Sequence, residues 1–151
     1  MASKLRSILV ENAKGRQICI SSGDMSVICE LNGTRTAKAL FKLATWGILE
    51  TARLQGEELY FLVAIRAWFR FVPDLVRHRE VQRGTLAYWP RGGYLCLFFG
   101  PLPHNPPDKI MPVAPVVVVG KIIKGLDQLG RFENPSMIQV KILLPNNLKK
   151  S

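Results

Sequence analysis

GTLAYWPRGGYLCLFFGPLP, residues 84–103, decides the fold. Gly84–Trp89 and Tyr94–Phe99 are short apolar runs, and Pro90-Arg91-Gly92-Gly93 between them supplies turn residues. The stretch therefore reads as a pair of β-strands joined by a turn. On its N-terminal side, Leu59–Ile65 (LYFLVAI) is almost wholly apolar and rich in aromatic and branched residues. That composition suits a central strand buried on both faces. Ala67–Val72 (AWFRFV) reads as a further strand ending at Pro73. On the C-terminal side, Pro101–Pro115 holds six of the ten prolines. It is expected to be irregular, because proline has no N–H to give a ladder. Val116–Ile123 and Met137–Leu144 supply the last strands.

Toward the N-terminus, Gln17–Ser21 and Met25–Leu31 form a hairpin through Ser22-Gly23-Asp24. Asn32-Gly33-Thr34 then offers turn and N-cap chemistry. In Thr36–Thr45, Ala37, Leu40, Phe41 and Ala44 share one helical face, with Lys38 and Lys42 on another and Gly47 placed to close the end. About eight strands around one helix, residues 36–45, predict a mainly β fold: a closed or nearly closed barrel. The barrel domain is expected over residues 16–145. Residues 1–15, in which Leu5, Ile8 and Leu9 have helical spacing, form a leader, and residues 146–151 form a polar tail.

A chain of 151 residues holds one domain with a real core. Twenty-one Lys+Arg against eleven Asp+Glu give a net charge of +10, which attracts polyanions non-specifically. Met1–Val10 lacks the apolar run of a signal peptide, and no window is long enough to span a bilayer, so a soluble cytoplasmic protein is expected. Cys19, Cys29 and Cys96 are odd in number and lack C-x-x-C spacing, which indicates neither a disulfide framework nor a zinc site. A Cys19–Cys29 cross-link would need the two hairpin strands to pair in register.

The segments Leu31–Leu40 (LNGTRTAKAL), Gly56–Phe61 (GEELYF), Gly84–Pro103 and Pro115–Lys121 (PVVVVGK) occur in an order that resembles a family of small prokaryotic cyclophilin-like proteins with no established activity. The resemblance covers roughly residues 17–144 and implies a cyclophilin-like β-barrel. Catalytic cyclophilins use an arginine, carried in a Phe-His-Arg run, beside an apolar proline pocket. The strand that the resemblance sets against it, Leu59–Val63, carries neither Arg nor His. Arg66 is the nearest cation, and in an extended strand it stands about 16 Å from Phe61.

No other catalytic constellation is legible. His78 and His104 have no metal-ligand spacing and read as solvated loop residues; no metal or cofactor is expected. Glu57 and Glu58 are adjacent, point to opposite faces of a strand and read as a solvated strand start. No nucleophile elbow or phosphate loop occurs. The residues thus lean away from an enzyme and leave three functions open. The first is a non-catalytic module binding a peptide or small ligand in an aromatic groove of Tyr60, Tyr88, Trp89, Phe98 and Phe99. The second is a prolyl isomerase-like enzyme. The third is nucleic-acid or polyanion binding through Arg66, Arg70, Arg77, Arg79, Arg83 and Arg91, which are interleaved with Trp68, Phe69 and Phe71.

Overall fold

Thr34 starts the long helix as its sequence predicts. Its backbone is extended, and its hydroxyl accepts from the Ala37 N–H at 3.1 Å, satisfying one of the donors a helix start leaves open. The computed structural model describes residues 12–68, 70 and 72–144. The side chains of Trp68, Phe69 and Phe71, the spacing of Leu5, Ile8 and Leu9, and the tail lie outside the described residues. Helix α1 (Arg35–Thr45) ends at Trp46, where Gly47, at φ +82°, donates its N–H to the Ala44 carbonyl. Ala37, Leu40, Phe41 and Ala44 are all buried, as the spacing requires.

A side chain from a distant loop completes the helix start. Asp74 accepts from the N–H groups of Arg35 (3.2 Å) and Thr36 (2.8 Å) and from the Thr36 hydroxyl (2.6 Å). Partial burial alone would raise this carboxyl; the hydrogen bonds from Thr36 and Arg35, with the Arg35 charge, more than offset it and hold the group below its ordinary value. Its contribution is therefore present above the unfolded carboxylate value, about 3.9, and is lost as pH falls through the lower folded one. Replacing Asp74 by Ala is expected to cost about 1 kcal/mol at neutral pH. The difference from wild type in urea midpoint should vanish in strong acid.

Eight antiparallel strands close into a barrel among the described residues: β1 (Gln17–Ser22), β2 (Met25–Leu31), β3 (Ile48–Gln55), β4 (Glu58–Leu62), β5 (Thr85–Trp89), β6 (Tyr94–Phe98), β7 (Val117–Lys124) and β8 (Ser136–Leu143). Around the barrel the order is β1, β2, β7, β5, β6, β4, β3, β8, with β8 returning to β1. Residue 119 is a bulge against β5, since Leu86 faces Gly120 while Ala87 faces Val118. Inward-facing residues, among them Ile18, Val27, Phe61, Leu97, Val119 and Ile138, form one core with the apolar face of α1.

One expectation is corrected. Within Ala67–Val72 no described residue belongs to a strand. After Leu62 pairs with Tyr94, β6 has no further residue to offer, because the chain enters the β5–β6 turn. Val63 still donates to the Gly93 carbonyl, then Ile65–Trp68 coils into one helical turn, α2. The eighth strand is instead β3, which bridges β4 and β8. Cys19 pairs with Ile28 and Cys29 with Ile18, so the two cysteines are out of register, and all three cysteines are free. No helix among the described residues is long and apolar enough to cross a membrane.

The outer face of β4, β6, β5 and β7 carries a second core. Ala87, Cys96 and Phe98 point outward and are covered by Val81, Leu102, Ile110 and Val116. The covering loop, residues 99–116, has no strand or helix, as its prolines dictate. Backbone bridges His78–Val116 and Val81–Ile110 zip it to the segment before β5. Asn105 staples it internally: its side-chain oxygen accepts from the Leu102 (3.0 Å) and Met111 (2.8 Å) N–H groups, and its amide donates to the Met111 carbonyl (3.0 Å).

Candidate functional site

Strand alternation assembles the site. Glu58 and Tyr60 lie on the outer face of β4, opposite Phe98 and Cys96 of β6, while Tyr94 of β6 pairs with Trp89 of β5. These six side chains floor a pocket of about 380 Å³. Pro112, Val113, Ala114 and Val116 of the covering loop wall it, and Gln55 stands at its rim. The Trp89 and Tyr94 rings stack with centroids 6.0 Å apart and planes 21° apart, and Tyr60 meets Tyr94 edge-on at 5.5 Å and 79°. Gly92 in the β5–β6 turn lies against the indole: a Cβ there would fall 2.5 Å from a ring carbon of Trp89. The missing side chain of this turn residue thus sets where the indole sits.

The electrostatics are those of a cleft with a buried carboxyl and no cation among its described lining residues. Glu58 is 8% exposed. Burial raises its carboxyl above the ordinary value, partly offset by the Cys96 thiol donating toward it. Burial also pushes the Cys96 thiol well up, and the Glu58 charge and hydrogen bond add to that effect. The thiol is thereby kept protonated, the opposite of what a nucleophilic cysteine needs. Among the described residues, no lysine, arginine or histidine lines the pocket.

The aromatic residues singled out from the sequence do not all meet here. Tyr60, Trp89 and Phe98 do. Tyr88, one residue along β5, faces the barrel interior, where its hydroxyl donates to the Val63 carbonyl at 2.5 Å. Phe99 lies past the end of β6 and packs against the inner core. Tyr94, Cys96 and Glu58 are additions. Glu58 is a correction to the reading of a solvated strand start: only Glu57 is exposed. Starting the strand at Glu58 places that carboxyl on the same face as Tyr60, and this alternation was the available signal.

The six arginines Arg66, Arg70, Arg77, Arg79, Arg83 and Arg91 are all exposed. Two are pinned to backbone carbonyls, Arg77 to Asp74 (2.9 Å) and Arg83 to Phe99 (3.1 Å). Arg66 sits on α2, where its charge acts on Tyr88 and not in the aromatic pocket. Both histidines are exposed. A larger groove of about 710 Å³ runs beside the end of α1, with Trp46 84% and Leu49 69% exposed, but among the described residues Glu50 is the one ionisable group along it. A cleft with converging polar groups is the better site, and that is the smaller one.

The family model described as Cyclophilin-like matches residues 16–141. The solution structure of the hypothetical protein AF2241 from Archaeoglobus fulgidus superposes with a TM-score of 0.69 at 26% identity, covering 89% of this chain and 98% of that one. The structure of McbB in complex with tryptophan superposes with a TM-score of 0.60 at 19% identity, covering 83% of this chain and 44% of that one. The second likeness is one of fold alone. No curated protein matches the chain.

Proposed function

The chain belongs to the Cyclophilin-like family, and on that footing we propose that it is a non-catalytic binding module. Its ligand, a small molecule or the side chain of a peptide, occupies the pocket between the 99–116 loop and the outer face of β4, β6 and β5. One observation carries the reading: aromatic rings and a buried carboxyl converge on a preformed cleft whose lining holds no guanidinium or imidazole among the described residues. Prolyl isomerisation of the cyclophilin type needs a cation beside the proline nitrogen to stabilise the twisted amide. Arg66 does not reach this pocket, and the thiol present is held protonated.

A fragment screen read by amide and indole NMR signals tests the proposal. Hits are expected to move the Trp89 indole signal and the Tyr60 and Tyr94 amides, and Trp89→Ala should abolish the response. A prolyl isomerase assay should give no rate above background. A rate that is lost in Tyr60→Ala or Trp89→Ala would overturn the non-catalytic reading.

A second reading, contact with polyanions, draws support from the six exposed arginines and the net charge of +10. It predicts retention of single-stranded nucleic acid that falls steeply with salt, as counterion release requires, with pocket ligands unaffected. Salt-independent retention, or none, argues against it.

A further inference from the structure

Resting on the reading of this pocket as a binding site, we propose that its ligand presents an alkylammonium head, paired with the Glu58 carboxyl beside Tyr60, while the stacked rings of Trp89 and Tyr94 line the rest of the cleft. Three observations converge on that chemistry.

The first is ring geometry. Trp89 and Tyr94 stack nearly parallel, and Tyr60 stands almost perpendicular to Tyr94, so the rings make a continuous aromatic floor on which Tyr60, two residues along β4, is the one of the three nearest the Glu58 row. Ring faces are electron-rich, and a cation within about 6 Å of their centroids is attracted, most of all by an indole.

The second is the state of Glu58. This carboxyl is buried, the Cys96 thiol donates toward it, and among the described residues it has no ion-pair partner. A buried carboxylate without a counter-charge is costly, and an arriving cation supplies one.

The third is contrast. The chain carries +10 overall, yet none of its described cations enters this cleft. An anion would meet ring faces and a carboxyl here. A neutral polar ligand would find donors in Gln55, Tyr60, Tyr94 and Trp89 but would leave the buried Glu58 carboxyl without a counter-charge.

The proposal fixes a pH dependence. The titratable groups that line the pocket with Glu58 are Cys96 and Tyr94 from β6 and Tyr60 from β4, of which Cys96 reaches it. Gln55 at the end of β3, Trp89 of β5 and residues 112–116 of the loop contribute none. Because burial raises the Glu58 carboxyl, its effect on folding is most favourable below the unfolded value of about 4.3 and is lost as pH rises through the folded one. A cation reverses this, so binding strengthens as pH rises through that interval and releases a proton.

The ammonium could come from a free small amine or from a lysyl side chain, and the test separates the two. Choline, a peptide bearing trimethyl-lysine, and the neutral choline isostere 3,3-dimethylbutan-1-ol are titrated into the full chain while the Trp89 indole and the Tyr60 and Tyr94 amides are followed. One or both charged probes should bind about tenfold tighter than the isostere, within the range of a partly desolvated cation–π contact. Choline alone points to a free amine and the peptide alone to a protein partner; either supports the ammonium assignment. Glu58→Gln should keep the fold, because it removes a charge that burial disfavours, and should erase most of the difference between charged and neutral probes. An isostere that binds as tightly as choline leaves the pocket a binding site and overturns the ammonium head. Silence from every charged probe overturns it too, and silence from the fragment screen as well removes the binding site itself.

Discussion

Truncating Phe98 to alanine is expected to cost about 3–5 kcal/mol, the usual range for emptying a fully buried phenylalanine site. Phe98 has no exposed surface and belongs to the outer core with Leu102, Ile110 and Val116. It is also part of the pocket floor beside Glu58. The loss should therefore appear twice: as a lowered guanidinium midpoint, and as loss of the fragment response while the protein is still folded. Phe99→Ala, which trims a half-buried ring on the inner core, should lower stability less and leave the pocket response intact. If both variants affect binding equally, the assignment of the two rings to opposite sides of the sheet is wrong.

Gly120→Ala should come next, at on the order of 3 kcal/mol. A Cβ at Gly120 would stand 2.3 Å from the Glu30 carbonyl oxygen and 3.1 Å from the Leu31 Cα. Those are backbone atoms, with no rotamer to escape into, so β2 and β7 must part where they pair at Leu31–Gly120. Gly33→Ala is the control: the nearest atom is the Lys14 Cβ at 3.8 Å, an ordinary contact, and the change should stay within about 0.5 kcal/mol. A Gly120→Ala midpoint equal to that of Gly33→Ala would contradict the packing of β2 on β7.

What was legible from the sequence, and what was not, follows from where each segment keeps its apolar residues. The hairpin of β5 and β6 announces itself because one face fills the barrel and the other lies under the 99–116 loop, so both faces are apolar. Strand β3 hides its period of two. Leu49 points outward at 69% exposure, Glu50 is half-buried, and Ala52 is its single fully buried residue. Ala67–Val72 misleads in the opposite direction: its composition favours a strand, yet no neighbouring strand extends far enough to pair with it. That is a tertiary limit which composition does not record. The candidate site was half visible. Tyr60, Trp89 and Phe98 follow from aromatic content, and Tyr88 and Phe99 were drawn in by adjacency although alternation turns them away. Glu58 escaped notice because a carboxylate beside a second carboxylate looks like a wet strand end, and its burial depends on a loop that returns from more than forty residues downstream.

Because every described strand has a partner on each side, the sheet offers no unsatisfied row of amides and carbonyls along which a second chain could align. A peptide ligand would therefore gain nothing from main-chain zippering, the route that gives many modules affinity regardless of sequence. Were the ligand a peptide, discrimination would rest on the side chain placed beneath the loop, and recognition would tolerate wide variation in what flanks it.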